Sequence, residues 1–287
     1  METLSSGDSG LCLRLCLSLK SAIASTNYIF IDYDVMSDGN HSVSYNYPIM
    51  YKNLFIDFDD TLYDTRGNAE ISLREMFDHF QLNQYFPDFE TFSRSYWKTN
   101  VELWAQYSNG EIERDYLIVE RFRRPLSEGV DANGNHFNPT EEFCLKVSDV
   151  FLDFCAVKPG VVDGAHELME YLKKKGYRLI MCSNGFHEIQ YRKLKSCGLL
   201  ESFDQIILSE DAGANKPSPV FFDYAFEATG ATPSDTLMIG DNFSTDILGA
   251  KKAGLATMFF NRHPESFKAT ESVDYEIHSL KEAMELL

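Results

Sequence analysis

The stretch Leu54-Phe55-Ile56-Asp57-Phe58-Asp59-Asp60-Thr61 sets an apolar run against three closely spaced carboxylates. A short run of bulky apolar residues reads as a buried strand. Carboxylates crowded at the end of such a strand repel one another, which raises their pKa unless a cation compensates. One stretch therefore implies both a core strand and a charged site at its end.

Working outward, four more apolar runs of strand length lie at 179–182, Gln205–Leu208, 236–239 and Ala256–Phe260. Helical patterns separate them. Ala165–Lys175 places Leu168 and Leu172 on one face, and Ile189 and Leu194 face inward before Gly198. Residues 220–229 stop at Gly230 and 245–253 stop at Gly254, glycine being a common helix terminator. Tyr275–Ile277 is expected to add an edge strand ahead of a last helix over 280–287. Strand–helix alternation with short links implies a parallel sheet covered on both faces. The expected fold class is α/β, a Rossmann-like parallel sheet with helices on both faces and an inserted helical cap.

The cap is read from about a hundred residues between the first two strands, too many for a crossover loop. Leu73, Met76, Phe77 and Phe80 share a helical face, as do Phe92, Tyr96, Leu103 and Tyr107, and Phe143, Val147, Val150 and Phe154. Pro87, Asn109-Gly110, Pro125 and residues 131–139 punctuate these stripes. The predicted organisation is a core of residues 50–65 and 158–287 with a cap of residues 66–157. Residues 1–49 show no sustained period and include a polar stretch at 37–46. They read as a disordered N-terminal extension, or as sequence ahead of a true start at Met50.

A net charge of −18 excludes a nucleic-acid polymer, which requires a basic stripe, but leaves room for a small phosphate ester at a locally positive site. Six cysteines at irregular spacing give no disulfide framework, and Cys12 and Cys16 lack a second pair for zinc. They imply reduced thiols in the cytoplasm. No apolar run is long enough to cross a membrane. Arg14 and Lys20 break the faintly signal-like run at 11–24, and no basic residue precedes it.

Ligands of parallel α/β sheets bind beyond the carboxyl ends of the strands. Asp57 through Thr61, then Ser183-Asn184-Gly185, Lys216-Pro217, and Gly240-Asp241 with Asp246 all fall there. Crowded oxygen ligands suit magnesium, and Asp57 and Asp241 come from different strand ends to one ion. A carboxylate can also attack phosphorus. Asp57 and Asp59 project to the same side of an extended segment, so Asp57 attacks while Asp59 gives a proton to the leaving oxygen and later takes one from water. Ser183 supplies a hydroxyl and Lys216 a fixed charge for the phosphoryl oxygens.

These motifs resemble the haloacid dehalogenase superfamily of phosphohydrolases over residues 51 to 287. The resemblance implies Asp57 as nucleophile and Asp59 as general acid/base, with Mg2+ held by Asp57, Asp241 and the Asp59 carbonyl. It further implies Asp246 in an outer position that fixes the metal site and the lysine, and phosphate binding by Thr61, Ser183, Asn184 and Lys216. Leu103 through Gly110, Ser183 through Phe186 and Asp246 through Ala250 are similar to the YjjG-type pyrimidine nucleotidases. That narrower likeness implies a nucleoside 5′-monophosphate substrate; Trp104 and Tyr107 are the candidates to set specificity, because an aromatic face can stack on a pyrimidine ring, although they also fit a stripe in the cap's own core. The alternatives are a phosphatase for phosphoglycolate or a sugar phosphate, and a phosphosugar mutase. Asp59 and the metal carboxylates count against a dehalogenase that attacks carbon.

Other signals carry less. Arg121, Arg123 and Arg124 read as a solvated helix face rather than a nucleotide contact. Residues 131–135 resemble a calcium loop but place His136 where glycine is required. His187 either touches substrate or is merely exposed, and Cys182 points into the core. Oligomeric state is not legible.

Overall fold

The computed structural model describes residues 29–36, 42–49 and 51–287 except Ser272. The readings of Cys12, Cys16, residues 11–24 and Met50 fall outside the described residues. Within the first fifty, β1 (Ile29–Met36) pairs antiparallel with β2 (Ser42–Ile49), Ile29 opposite Ile49 and Met36 opposite Ser42. This hairpin was not anticipated, although Val43, Tyr45, Tyr47 and Ile49 alternate with Ser42, Ser44, Asn46 and Pro48 at the period of a strand.

Residues 51–287 form a second unit around six parallel strands: β3 (Asn53–Ile56), β4 (Arg178–Ser183), β5 (Gln205–Leu208), β6 (Thr236–Gly240), β7 (Ala256–Phe260) and β8 (Tyr275–Ile277). Their order is β5-β4-β3-β6-β7-β8, with Asn53 opposite both Arg178 and Thr236. Strand β3 is thus central, and Leu54, Phe55 and Ile56 are fully buried. Sides alternate along it. Phe55, Ile180, Cys182 and Met238 pack on one face against Phe221, Phe222 and Ala225 of α8 (Pro219–Thr229). Cys182 is fully buried there, as its position next to an outward Ser183 requires.

The cap comprises α1 (Thr65–His79), α2 (Phe89–Ser108), α3 (Arg114–Leu126) and α4 (Glu141–Cys155). Asp64, Asp88 and Thr140 accept N–H groups from Gly67, Thr91 and Phe143 at the starts of α1, α2 and α4, each such cap contributing about 1 kcal/mol. The cap has its own core of Leu73, Met76, Phe77, Phe92, Tyr96, Phe122, Val147 and Phe151. Pro125 was expected to separate helices; it sits instead in the last turn of α3, where the Ser127 N–H still reaches the Arg123 carbonyl. Cap and core are tied where the chain crosses between them. Tyr63 donates to the carbonyls of Cys155 and Lys158, and Asn68 exchanges two hydrogen bonds with Gly160.

On the core, α5 (Ala165–Lys175) and α6 (His187–Ser196) follow the cap and β4, and the short α7 (Ser209–Ala212) follows β5. Residues 245–253, read as one α-helix, are a π-turn at Phe243–Ile247 leading into α9 (Leu248–Lys252); α10 (Leu280–Leu286) closes the chain. The wider turn carries Asp246 back under the sheet, where it is almost fully buried. A Cβ at Gly240 would overlap the Asp246 carboxylate, so glycine is required at that strand end. Gly249 has a similar constraint: a Cβ there would lie 2.9 Å from Pro217 Cα and from the Phe222 ring. Gly249→Ala is therefore expected to destabilise the protein by about 1–3 kcal/mol, the usual cost of overpacking, in equilibrium urea unfolding. An unchanged midpoint would show that the loop carrying Lys216 yields freely.

Candidate active site

The site forms because three neighbouring strands end together and the chain after β5 returns beside them. The Asp57 N–H still bonds the Ile239 carbonyl at 2.9 Å, so the carboxylate leaves the sheet in a fixed direction. Asp60 then adopts φ 62°, a left-handed conformation that aspartate tolerates better than most residues. Its carboxylate accepts the Arg66 N–H and Arg262 Nη1. This turn brings Thr61 back beneath Asp57. The Thr61 hydroxyl lies 3.0 Å from Asp57 Oδ2 and 3.1 Å from Asp241 Oδ1, and accepts the Asp241 N–H.

Lys216 closes the cluster. Its Nζ donates to Asp57 Oδ1 at 2.7 Å, to Asp246 Oδ1 at 2.8 Å and to the Cys182 carbonyl at 2.6 Å. All three ammonium protons are used, and the residue is 1% exposed. Burial disfavours its charge, but Asp246 and Asp57 outweigh that and hold the lysine above its ordinary range. Burial raises Asp57 to about 7; Lys216 opposes this, while Asp246 and Asp59 add to it. Asp241 is raised well above the carboxylate range, by burial and then by Asp57, Asp246 and Asp60. Carboxylate oxygens of Asp57, Asp241 and Asp246 lie within 4.8 Å of one another. One lysine does not balance this charge. An all-oxygen donor set with surplus negative charge fits a hard divalent cation; Asp241, which Lys216 does not touch, is the least compensated member, and Asp57 has one oxygen on Lys216 and the other on Thr61.

Asp59 is in a different state. It accepts hydrogen bonds from Thr65 Oγ1 at 2.6 Å, Gln190 Nε2 at 2.5 Å and Lys193 Nζ at 2.7 Å. Burial acts to raise its pKa, but Lys193 and these donors prevail and hold the carboxyl below its usual range. The Ser183 hydroxyl accepts from the Gly185 N–H and from Gln190 Nε2. Its own proton is left to donate outward.

A cavity of about 510 Å3 opens above these groups, within the range of small-molecule sites. Asp57, Asp59, Ser183, Lys216 and Asp241 line it from the core, and Tyr96, Trp97, Trp104 and Arg121 from the cap. Several expected roles change here. Thr61 is fully buried with its hydroxyl engaged between Asp57 and Asp241, so its side chain braces carboxylates rather than touching phosphate. Both ends of the Asn184 amide are taken by the Lys216 backbone; the side chain holds the lysine loop. Trp104 reaches the cavity, whereas Tyr107 does not line it and packs behind on Trp104 and Phe186. His187 is exposed against Tyr191 and lies off the cavity.

The sequence reading did not find Gln190 and Lys193. They stand one turn apart on α6, the helix leaving the Ser183 strand end, and that i, i+3 spacing was the available signal.

The chain belongs to the haloacid dehalogenase-like hydrolases, whose family model matches residues 51–254. It is a phosphatase of that family. It is 30% identical over 236 residues to pyrimidine 5′-nucleotidase YjjG of Escherichia coli, covering 80% of this chain and 96% of that one. Pyrimidine 5′-nucleotidase PynA of Streptococcus pneumoniae is 27% identical over 241 residues, covering 83% and 96%. The crystal structure of the HAD-hydrolase YfnB from Bacillus subtilis, bound to magnesium, superposes with a TM-score of 0.70 at 29% identity, covering 82% and 97%.

The raised carboxylates make stability depend on pH. Asp57 and Asp241 bind protons more tightly folded than unfolded, so their contribution is complete below the unfolded carboxylate pKa and is lost as pH rises through about 7 for Asp57. Asp59 shifts the opposite way, below this window. The thermal midpoint of metal-free protein should carry this penalty at pH 8 relative to pH 5.5. Magnesium, by binding the ionised pair, should raise the midpoint more at pH 8. Equal magnesium shifts at the two pH values would contradict this account of the cluster.

Proposed function

We propose that this protein is a magnesium-dependent 5′-nucleotidase that hydrolyses pyrimidine nucleoside monophosphates through an aspartyl phosphate. The observation that carries the reading is one continuous cavity with Asp57, Asp59 and the Ser183 hydroxyl on one side and Trp97 and Trp104 on the other. Such a space suits a phosphate joined to a flat ring. Likeness to YjjG and PynA supports the substrate class.

Asp57 attacks phosphorus, with Lys216 and Thr61 each fixing one of its oxygens. The P–O bond to the nucleoside breaks, and Asp59 gives its proton to the departing 5′-oxygen. In the second step Asp59 takes a proton from water, whose oxygen attacks phosphorus and frees Asp57. Asp59 stands ionised beside Lys193, as the second step requires. An entering phosphoryl dianion next to it raises its proton affinity for the first. Ser183 donates its remaining proton to a phosphoryl oxygen. The carboxylates of Asp57 and Asp241 with the Asp59 carbonyl would hold magnesium, which supplies positive charge for the phosphoryl oxygens. Asp246 keeps an outer role, its carboxylate already engaged by Lys216, the Asn242 N–H and Thr245. The cap, residues 66–157, sets substrate choice. A reducing cytoplasm suits the four buried free thiols Cys144, Cys155, Cys182 and Cys197.

Phosphate release from uridine 5′-monophosphate tests the assignment. Asp57→Asn should lower turnover at least about a thousandfold, since an amide of similar size is a poor nucleophile. Substantial activity in clean Asp57→Asn protein would remove the covalent step. Trp104→Ala should raise KM for uridine monophosphate well above its effect on phenyl phosphate, because stacking on the base is lost. A parallel decline on both esters would make Trp104 a packing residue instead.

A further inference from the structure

The cap wall of the cavity holds a positive charge that the phosphoryl chemistry does not use. Arg121, on α3, is 2% exposed and lines the cavity. The sequence reading placed it with Arg123 and Arg124 on a solvated face. Those two fit that reading, being paired with Glu120, Glu141 and Glu102 at the surface. Arg121 does not. Among the described residues no carboxylate lies within ion-pair distance of it. Its Nη2 donates to Ser148 Oγ at 2.8 Å, and its buried Nε has no acceptor.

A guanidinium carries five donors and does not lose its proton. Burying that charge against one neutral hydroxyl is costly unless another acceptor completes the shell. The flanking rings do not supply it. The guanidinium carbon lies 5.3 Å and 5.4 Å from the ring centres of Phe122 and Phe151, near the outer limit of cation–π attraction. Nε is sealed from the cavity, but an acceptor entering there can meet Nη1, which has no hydrogen-bond partner among the described residues. Trp104 lines the same cavity and suits a flat heterocycle, whereas Tyr96 is packed into the cap core and the Trp97 ring is covered by Arg66. The shape therefore favours an acceptor on a ring over an anion on a flexible chain.

We propose that Arg121 is a specificity-determining residue of the cap, donating from its guanidinium to a carbonyl oxygen of the pyrimidine ring. Ser148 is the positioning residue that fixes its orientation. The inference rests on the nucleotidase reading and deepens it. Every pyrimidine nucleobase carries a C2 carbonyl, and adenine has no carbonyl. A buried donor left unpaired by the wrong base discriminates strongly.

The test uses the full chain with magnesium and three measurements: hydrolysis of uridine 5′-monophosphate, hydrolysis of phenyl phosphate, and inhibition of the latter by uridine. Arg121→Gln should raise the ratio of the KM for uridine monophosphate to that for phenyl phosphate about tenfold or more, and weaken uridine inhibition by a similar factor. Ser148→Ala should move both in the same direction by less. Parallel changes on the two esters, or an unchanged inhibition constant for uridine, would overturn the proposal and leave Arg121 a packing residue. If Arg121→Gln does not fold, Ser148→Ala decides: unaltered uridine inhibition there overturns it equally. Wild-type protein that cleaves phenyl phosphate but neither cleaves uridine monophosphate nor binds uridine would overturn the nucleotidase reading together with this one. Wild-type cleavage of uridine monophosphate with an unmoved ratio in Arg121→Gln would overturn this one alone.

Discussion

The ammonium of Lys216, buried between Asp57, Asp246 and the Cys182 carbonyl, is the interaction on which the rest of the site depends. It links the ends of β3 and β4 to the π-turn after β6, with a single charge contacting all three. Removing either side of such a pair leaves an uncompensated charge in the interior, which is far worse than never having buried the pair. The surrounding structure is arranged to keep the lysine there. Asn184 grips its backbone through both ends of one amide, Gly240 leaves room for Asp246, and Gly249 lets the Pro217 segment approach α9. Site chemistry and fold stability are therefore not separable here.

The sheet was legible because its strands are short, apolar and regularly separated by helices. Gln205–Leu208 and Ala256–Phe260 matched to the residue. Asp57, Asp59 and Asp241 were legible for a different reason: they stand at strand ends, where a parallel sheet has no other use for them, and Lys216 lies on the loop that returns beside them after β5. What escaped was whatever depends on side-chain orientation within a helix. Gln190 and Lys193 look like surface residues of an amphipathic helix, and Arg121 belongs to a run of arginines whose other members are solvated. Thr61 was found by position, but its hydroxyl is already engaged between Asp57 and Asp241, which sequence does not show. The π-turn at Phe243–Ile247 was beyond reach for a related reason, since one extra residue per turn barely alters the apolar spacing.

The core and the cap divide their charges in a way that bears on recognition. On the core side four carboxylates have a cation: Asp57 and Asp246 share Lys216, Asp59 takes Lys193, and Asp60 takes Arg262. None of these carboxylates lies within ion-pair distance of Arg121. Asp241 has no cation among the described residues, so the surplus charge stays at the carboxylate cluster, and an uncharged ring can be read on the far wall by hydrogen bonding and stacking.

The order of the strands carries a consequence for synthesis. The sheet begins with β3 at its centre, and the partners of Asp57 arrive from far along the chain: Ser183, then Lys216, then Asp241 and Asp246. A nascent chain leaving the ribosome from its N-terminus exposes the helical cap, which has its own apolar core, while the carboxylates of Asp57, Asp59 and Asp60 still lack Lys216, Lys193 and Arg262, their later partners. Domains fold as units in order of emergence, so the inserted layer can settle before the layer into which it is inserted. A polypeptide ending before residue 241 lacks Asp241 and Asp246 and cannot assemble the carboxylate cluster.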